Sequence, residues 1–262
     1  MIPKIIHYCW FGKGEKSPLI KRCIDSWKKF CPEYQIIEWN ETNFDIHSSK
    51  YCKEAYENKM WAFVSDYARL KIIYENGGIY LDTDVELLRN LDFLLDDTFF
   101  CGFELNTAIN TGIGFGAVIN SKIAKKMLDE YGGISFVEES GRFNKTPCTF
   151  YNSNALIKEG AVLNNTFQTR EDFTIYPTDF FSPKSYETGI VKRTSNTVSI
   201  HHFTSSWEDD KSLRKKHYQH LICKLFGEII GQKIILIIDT VKVAKKKGVL
   251  GSINGLMKRI KQ

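Results

Sequence analysis

The sequence predicts an α/β fold with parallel strands, and three observations carry that reading. The chain opens on an apolar strand, a helix and a second strand in quick succession. A segment from Trp61 to Asn76 that carries Ala62, Val64, Ala68, Leu70, Ile72 and Ile73 with few helix breakers ends on Gly77-Gly78. A short apolar strand, Ile79-Tyr80-Leu81, then runs directly into Asp82-Thr83-Asp84. Two carboxylates one residue apart at the end of a buried strand suit Mg²⁺ or Mn²⁺, which takes few protein carboxylates and completes its shell with substrate phosphates and water.

Each element follows from local signals. Lys4 to Phe11 reads as a strand, and Gly12 and Gly14 mark a loop. Ser17-Pro18 is an N-cap followed by proline at the first helical position, a helix start. Ile20, Ile24, Trp27 and Cys31 repeat at helical spacing until Pro32, and Gln35 to Trp39 reads as the next strand. This βαβ unit implies parallel strands joined by a right-handed crossover, with ligands beyond the carboxyl ends of the strands. Trp61 to Asn76 reads as a buried helix ended by its glycines. Asp66 and Arg69, three residues apart, share one face of it, where they either pair with each other or jointly meet a ligand.

Farther along, Phe99 to Phe103 is strand-like. The glycine-rich segment Asn110 to Gly116 lacks the spacing of a dinucleotide fingerprint and reads as a strand pair with close backbone approach. Ser121 caps a helix, Asn152 to Gly160 is helical, and Phe173 to Tyr176 and Thr197 to His202 are strands. From Lys211 the pattern is helical, ending in an apolar stripe, Val249, Leu250, Ile253, Leu256, Met257 and Ile260, beside Lys258, Arg259 and Lys261.

The 262 residues, 43% hydrophobic and 13% aromatic, suffice for one large core. The expected division is a catalytic domain over 1–210 and a helical, basic extension over 211–262. No secretory signal pattern opens the chain, so a cytoplasmic location is expected. Seven cysteines without a Cys-x-x-Cys pair read as reduced, mostly buried thiols. The net charge of +5 is modest, but lysine and arginine crowd the last fifty or so residues. That basic end is either a solvated surface or a contact for acidic lipid headgroups, and the tail either packs on the domain or lies in a membrane interface. No apolar run reaches the ~20 residues of a span. No nucleic-acid signature accompanies the charge, so nucleic acid is not an expected partner.

Four segments in order resemble the DXD glycosyltransferases of the GT-A fold, which include yeast-type initiating mannosyltransferases, bacterial capsule glycosyltransferases and, more distantly, the glucosylating clostridial toxins. They are Ile2 to Gly12, Ser65-Asp66-x-x-Arg69, Gly77 to Asp84, and His201-His202-Phe203-Thr204-Ser205-Ser206-Trp207. The resemblance implies a GT-A-type, Rossmann-like mixed sheet flanked by helices. It implies that Trp10 stacks on the donor base, that Ser65, Asp66 and Arg69 hold the donor sugar and diphosphate side, and that Tyr80 flanks the same pocket. Asp84 is the implied metal ligand, with Asp82 on the ribose or a metal-bound water. His202 stands where relatives place a further metal ligand, three residues before Ser205. His201 then points to the opposite strand face and is expected to be structural. Ser205 and Trp207 are implied to meet the departing diphosphate.

The implied reaction is metal-dependent, retaining transfer of a hexose from a UDP-sugar or GDP-mannose to a saccharide or lipid-linked acceptor in surface polysaccharide synthesis, at the inner membrane, with Mn²⁺ or Mg²⁺. Two alternatives accompany it: an aspartyl-phosphate phosphohydrolase using Asp82 as nucleophile, and a non-catalytic sugar-nucleotide-binding relative. On this reading Asp84→Ala abolishes transfer and leaves the fold intact.

Overall fold

A computed structural model of the protein describes residues 1–204, 209–242 and 244. The described residues fall into two compact units, one of residues 1–183 and 192–204, the other of residues 184–191 and 209 onward. The first unit is a mixed α/β layer structure. Its main sheet has eight strands: β1 (Ile5–Cys9), β2 (Gln35–Trp39), β3 (Gly78–Tyr80), β5 (Phe99–Leu105), β6 (Ala108–Asn110), β7 (Phe115–Ala117), β8 (Gln168–Thr169) and β9 (Thr174–Tyr176). The order is β2-β1-β3-β7-β5-β9-β8, with β6 paired to β5. β1 lies parallel to β2 and to β3, whereas β7 is antiparallel to both β3 and β5. β4 (Val85–Leu87) and β10 (Ser199–His201) form a separate antiparallel ribbon.

Strand alternation divides the apolar residues between the two faces of the sheet. Tyr80, Phe99, Cys101, Phe103, Phe115 and Ile175 join one cluster with α2 (Lys50–Glu57), α3 (Trp61–Asn76), α4 (Lys122–Asp129) and α5 (Cys148–Lys158). Ile6, Tyr8, Ile79, Leu81, Phe100 and Tyr176 join the other with α1 (Pro18–Phe30) and α6 (Thr178–Phe181). A sheet covered on both faces explains why its strands read as apolar runs.

The expected N-cap is present: Ser17 Oγ accepts from the Ile20 amide, and Pro18 opens α1. α1 is fastened over the ribbon, because the Trp27 indole N–H donates to Val85 O at 2.7 Å and the Leu87 amide donates to Ser26 Oγ at 2.9 Å. α2 was not legible from periodicity. It is a polar eight-residue helix started by the Ser49 cap, which accepts from the Cys52 amide. α5 begins at Cys148, just after Pro147, ahead of the predicted Asn152.

Gly77 and Gly78 do more than end α3. Their φ angles are +66° and +91°, and a Cβ on Gly78 would lie 2.8 Å from His7 Nε2. That close approach lets the imidazole donate from Nε2 to Gly77 O at 3.0 Å while Nδ1 accepts from the Trp39 indole at 2.9 Å. The turn reverses the chain, so β3 runs back alongside α3. From Arg69 to the helix end is about 10 Å at 1.5 Å per residue. From Gly78 to Asp82 is about 13 Å of strand, which returns Asp82 to the level of Arg69.

Among the described residues no helix is long and apolar enough to cross a membrane. In the second unit α7 (Asp210–Phe226) is followed by helical residues 228–242.

Candidate active site

Asp66 and Arg69 are buried on α3, and both face the Asp82 turn. Arg69 Nη2 lies 2.9 Å from Asp66 Oδ1 and 3.2 Å from Asp82 Oδ1, so one guanidinium bridges the two carboxylates. Its Nε donates to Ser65 O at 3.2 Å, and its guanidinium carbon stands 5.1 Å from the centre of the Tyr80 ring. The Tyr80 hydroxyl donates to Asp82 Oδ1 at 3.1 Å. Tyr80 is therefore a buried support for Asp82 and Arg69. Burial pushes the Asp66 carboxyl up to about 6 against the lowering effect of Arg69, and raises Asp82 for the same reason.

Gly112 makes room for this arrangement. Its carbonyl accepts from the Asp82 amide at 2.9 Å, and a Cβ there would lie 2.1 Å from Asp82 Oδ2 and 2.7 Å from Arg69 Nη1. The Gly112 amide donates to Asn110 Oδ1, and the Asn110 amide group donates to Glu104 Oε1 at 2.8 Å. The Cys148 thiol, 3.6 Å from Asn110 Oδ1 and 4.0 Å from Arg69 Nη1, closes this side, with burial holding it protonated.

Asp84 faces a different group. Val85 N donates to Asp82 O, so Asp82 to Val85 is a turn and the side-chain alternation of a strand is lost at Asp84. Asp84 Oδ1 lies 3.2 Å from His201 Nε2. Oδ2 accepts from the Thr204 amide at 2.8 Å and from the Thr204 hydroxyl at 2.9 Å. Burial works to raise the Asp84 carboxyl, but the His201 charge and these hydrogen bonds outweigh it and hold it well below the carboxylate range. Burial works to lower His201, but Asp84 and Glu104, whose Oε1 is 3.5 Å from Nδ1, bring it up to about 10.

The two histidines thus differ from expectation. His201, expected to face away, meets Asp84. His202 donates its amide to Asp84 O, but its Nε2 lies 2.7 Å from Glu86 Oε2, beside Arg22 at 3.4 Å from the same oxygen. The cause is register: β10 pairs antiparallel with β4, opposing Ile200 to Glu86 and His201 to Val85, and the turn at Asp84 swings its carboxylate toward His201.

The expected metal set of Asp84, His202 and Asp82 does not converge. Asp84 has both oxygens engaged, His202 lies against Glu86, and among the described residues no group of three or more His, Cys, Asp or Glu side chains is placed to hold a metal ion. Asp82 Oδ2 is the one oxygen of the pair without a hydrogen bond among the described residues. A divalent ion held here would take one carboxylate oxygen, Asp82 Oδ2, from these residues and the rest of its shell from substrate phosphates and water.

The remaining expected residues sit as follows. Trp10 is half-buried just past the carboxyl end of β1, the neighbour of β3; its indole N–H donates to Gly14 O at 2.7 Å, and Lys16 Nζ stands 5.1 Å from its ring. The Ser65 hydroxyl donates to Trp61 O at 3.1 Å, back along its own helix. Ser205 and Trp207 lie outside the described residues. Cys148 and Glu104 gave no motif-level signal, because each acts through a partner distant in sequence; Thr204 lies inside the segment His201 to Trp207 and Glu86 just after Asp84, but neither was assigned a role.

Residues 17–100 match the family described as the glycosyltransferase sugar-binding region containing a DXD motif. That span holds Ser65, Asp66, Arg69, Tyr80, Asp82 and Asp84. The match takes in about a third of the chain. This region has relatives among curated proteins. An uncharacterized glycosyltransferase of Acanthamoeba polyphaga mimivirus is 29% identical over 159 residues, covering 57% of this chain and 61% of the viral protein. Inositol phosphoceramide mannosyltransferase 3 of Schizosaccharomyces pombe is 34% identical over 105 residues, 36% of this chain and 27% of that protein. The chain thus spans less than two thirds of either relative. Among solved structures, the PaToxG glycosyltransferase overlays with a TM-score of 0.45 at 19% identity, covering 60% of this chain and 70% of that one. A glycosyltransferase involved in glycosylation of the major capsid of PBCV-1 overlays with a TM-score of 0.44 at 12% identity, covering 82% and 98%.

Proposed function

We propose that the chain transfers a hexose from a nucleotide-diphosphate sugar, a UDP-sugar or GDP-mannose, to a saccharide or lipid-linked acceptor in surface polysaccharide synthesis. The observation that carries the reading is the Arg69 bridge between Asp66 and Asp82 at the turn that bears the DXD motif. On this reading the Asp66 carboxylate accepts hydrogen bonds from donor-sugar hydroxyls, and Arg69 keeps it and Asp82 ionised and aimed. Asp82 presents Oδ2 to the ribose. Trp10, beyond the neighbouring parallel strand, offers its ring to the base. Ser205 and Trp207 meet the departing diphosphate.

The bond from the anomeric carbon to the diphosphate oxygen breaks and a bond to the acceptor oxygen forms on the same face, through an oxocarbenium-like state, and the acceptor hydroxyl's proton passes to the departing diphosphate. Positioned charge lowers that barrier. A divalent ion, Mn²⁺ or Mg²⁺, would supply Lewis-acid stabilisation of the leaving group. No step is assigned to it, because the donors do not converge. We place these residues in a catalytic domain over 1–210, with 211–262 a basic extension, and the chain in the cytoplasm at the inner membrane surface that a lipid-linked acceptor requires.

The test is incubation of the purified chain with a panel of nucleotide sugars, following nucleoside diphosphate release and hexose transfer by mass spectrometry. Release of nucleoside diphosphate from one donor, lost in Asp66→Asn, supports the proposal. Release of inorganic phosphate from phosphomonoesters, or donor binding without turnover, overturns it.

A further inference from the structure

The described C-terminal helices form an antiparallel hairpin. Gly231 lets them touch: a Cβ there would lie 2.7 Å from Cys223 Cα. Lys215 Nζ pairs with Asp239 at 3.1 Å. Residues 215 and 239 each lie eight positions from the 223 and 231 contact, in opposite directions, which fixes the alignment. Gly227, at φ +78°, makes the turn.

At this closed end four large apolar side chains face water: Leu225 at 69% exposure, Phe226 at 53%, Ile229 at 71% and Ile230 at 58%. A contiguous apolar cluster of this kind marks an interaction site more often than single exposed residues do. Its surroundings are basic. Lys224 and Lys233 flank it and are exposed, Glu228 is the only acid between them, and residues 209–242 hold seven basic side chains against four acidic.

We propose that this corner enters the interface of an anionic membrane, with Leu225, Phe226, Ile229 and Ile230 at the acyl boundary and Lys224 and Lys233 at headgroup level. Lysine beside exposed apolar side chains is the pairing an anionic bilayer surface rewards, since both terms act at the same depth. A second copy of the chain fits less well. Leu221, Ile237 and Val241 are exposed too, but they lie along the hairpin away from its turn, so at the corner four side chains offer roughly half of the about 800 Å² that each partner of a stable dimer gives up. The inference deepens the membrane-surface part of the proposed function and does not depend on the transfer reaction. It moves the contact from the amphipathic stripe at 249–260, which lies outside the described residues, to the hairpin corner.

The experiment is co-sedimentation of the full chain with vesicles of phosphatidylcholine alone and of phosphatidylcholine mixed with phosphatidylglycerol. The wild type is expected to pellet with the mixed vesicles, and L225E/I229E to lose that binding by about tenfold or more while keeping its circular dichroism and melting temperature. Three outcomes overturn the inference: no binding by the wild type, unchanged binding by L225E/I229E with loss in L250E/I253E, or conversion of a dimer to a monomer by L225E/I229E in sedimentation equilibrium. Donor hydrolysis assayed on the same proteins separates the two proposals, since vesicle binding through the corner without turnover keeps this one and sinks the other.

Discussion

His201 Nε2 lies 3.2 Å from Asp84 Oδ1, and both side chains are buried. The second aspartate of the DXD motif is therefore one half of an internal ion pair joining the β3–β4 turn to the end of β10. Removing one partner of a buried pair leaves the other charge uncompensated, at a cost of about 3–5 kcal/mol. Asp84→Ala is thus expected to lose transfer and to lower stability by that amount. This revises the expectation that the fold would be untouched. Urea denaturation checks it: an unchanged midpoint with unchanged slope contradicts the pairing.

Arg69→Lys separates charge from geometry. An ammonium keeps the positive charge but lacks the Nε–H that donates to Ser65 O and the plane that lies over Tyr80, so nothing holds it at the point where Arg69 Nη2 meets both Asp66 and Asp82. We expect nucleotide-sugar turnover to fall by about a hundredfold, as it does when reacting groups are misplaced by about 1 Å. Turnover within a few-fold of wild type shows that the bridge is dispensable.

Gly112→Ala forces a methyl against Asp82 Oδ2 and Arg69 Nη1. Overpacking of this kind costs about 1–3 kcal/mol. Donor affinity measured by calorimetry should drop together with the melting temperature. A variant that binds donor as the wild type does places the donor away from Asp82.

His7 supplies a pH dependence. Burial lowers its imidazole from 6.5 to about 4, the hydrogen bond to Gly77 only partly opposing. Between those values the unfolded chain binds a proton that the folded chain refuses, so stability rises with pH across the window and is lost as pH falls, by up to about 3 kcal/mol. Asp66, raised from 3.8 to about 6, titrates in the same window with the opposite sign: there the folded chain holds the extra proton. The difference between wild type and His7→Gln isolates the histidine. It should shrink as the pH is lowered toward 4, and a difference independent of pH rules out the buried neutral imidazole.

Metal binding should require the leaving group. Asp82 offers one open oxygen and Asp84 none, so Mn²⁺ alone should bind weakly, while Mn²⁺ with a nucleoside diphosphate gains phosphate ligands. Electron paramagnetic resonance of Mn²⁺ with and without UDP or GDP tests this. Tight Mn²⁺ binding without nucleotide contradicts the described donor set.

Local signals located much of the fold. The Ser17 cap, the β2 strand at Gln35–Trp39 and the α3 helix at Trp61–Asn76 lie where capping, proline and apolar runs put them. Asp66 and Arg69 on one helix face, and Asp82 after the next strand, were equally readable, because Gly77-Gly78 is short enough to force the strand back along the helix. Polar α2 was not readable, since its start rests on one serine and its face carries little apolar repetition.

By itself the sequence determined which residue types could meet: a carboxylate and a cation three residues apart on a helix, and two carboxylates after a strand. Only the tertiary structure decided how they pair. Period-two alternation assigned His201 to the wrong side because it holds within a strand, and Asp84 sits in a turn where it lapses. Gly112 and Cys148 reached the site from separate strand and helix connections, through contacts between residues far apart in the chain that no local pattern encodes.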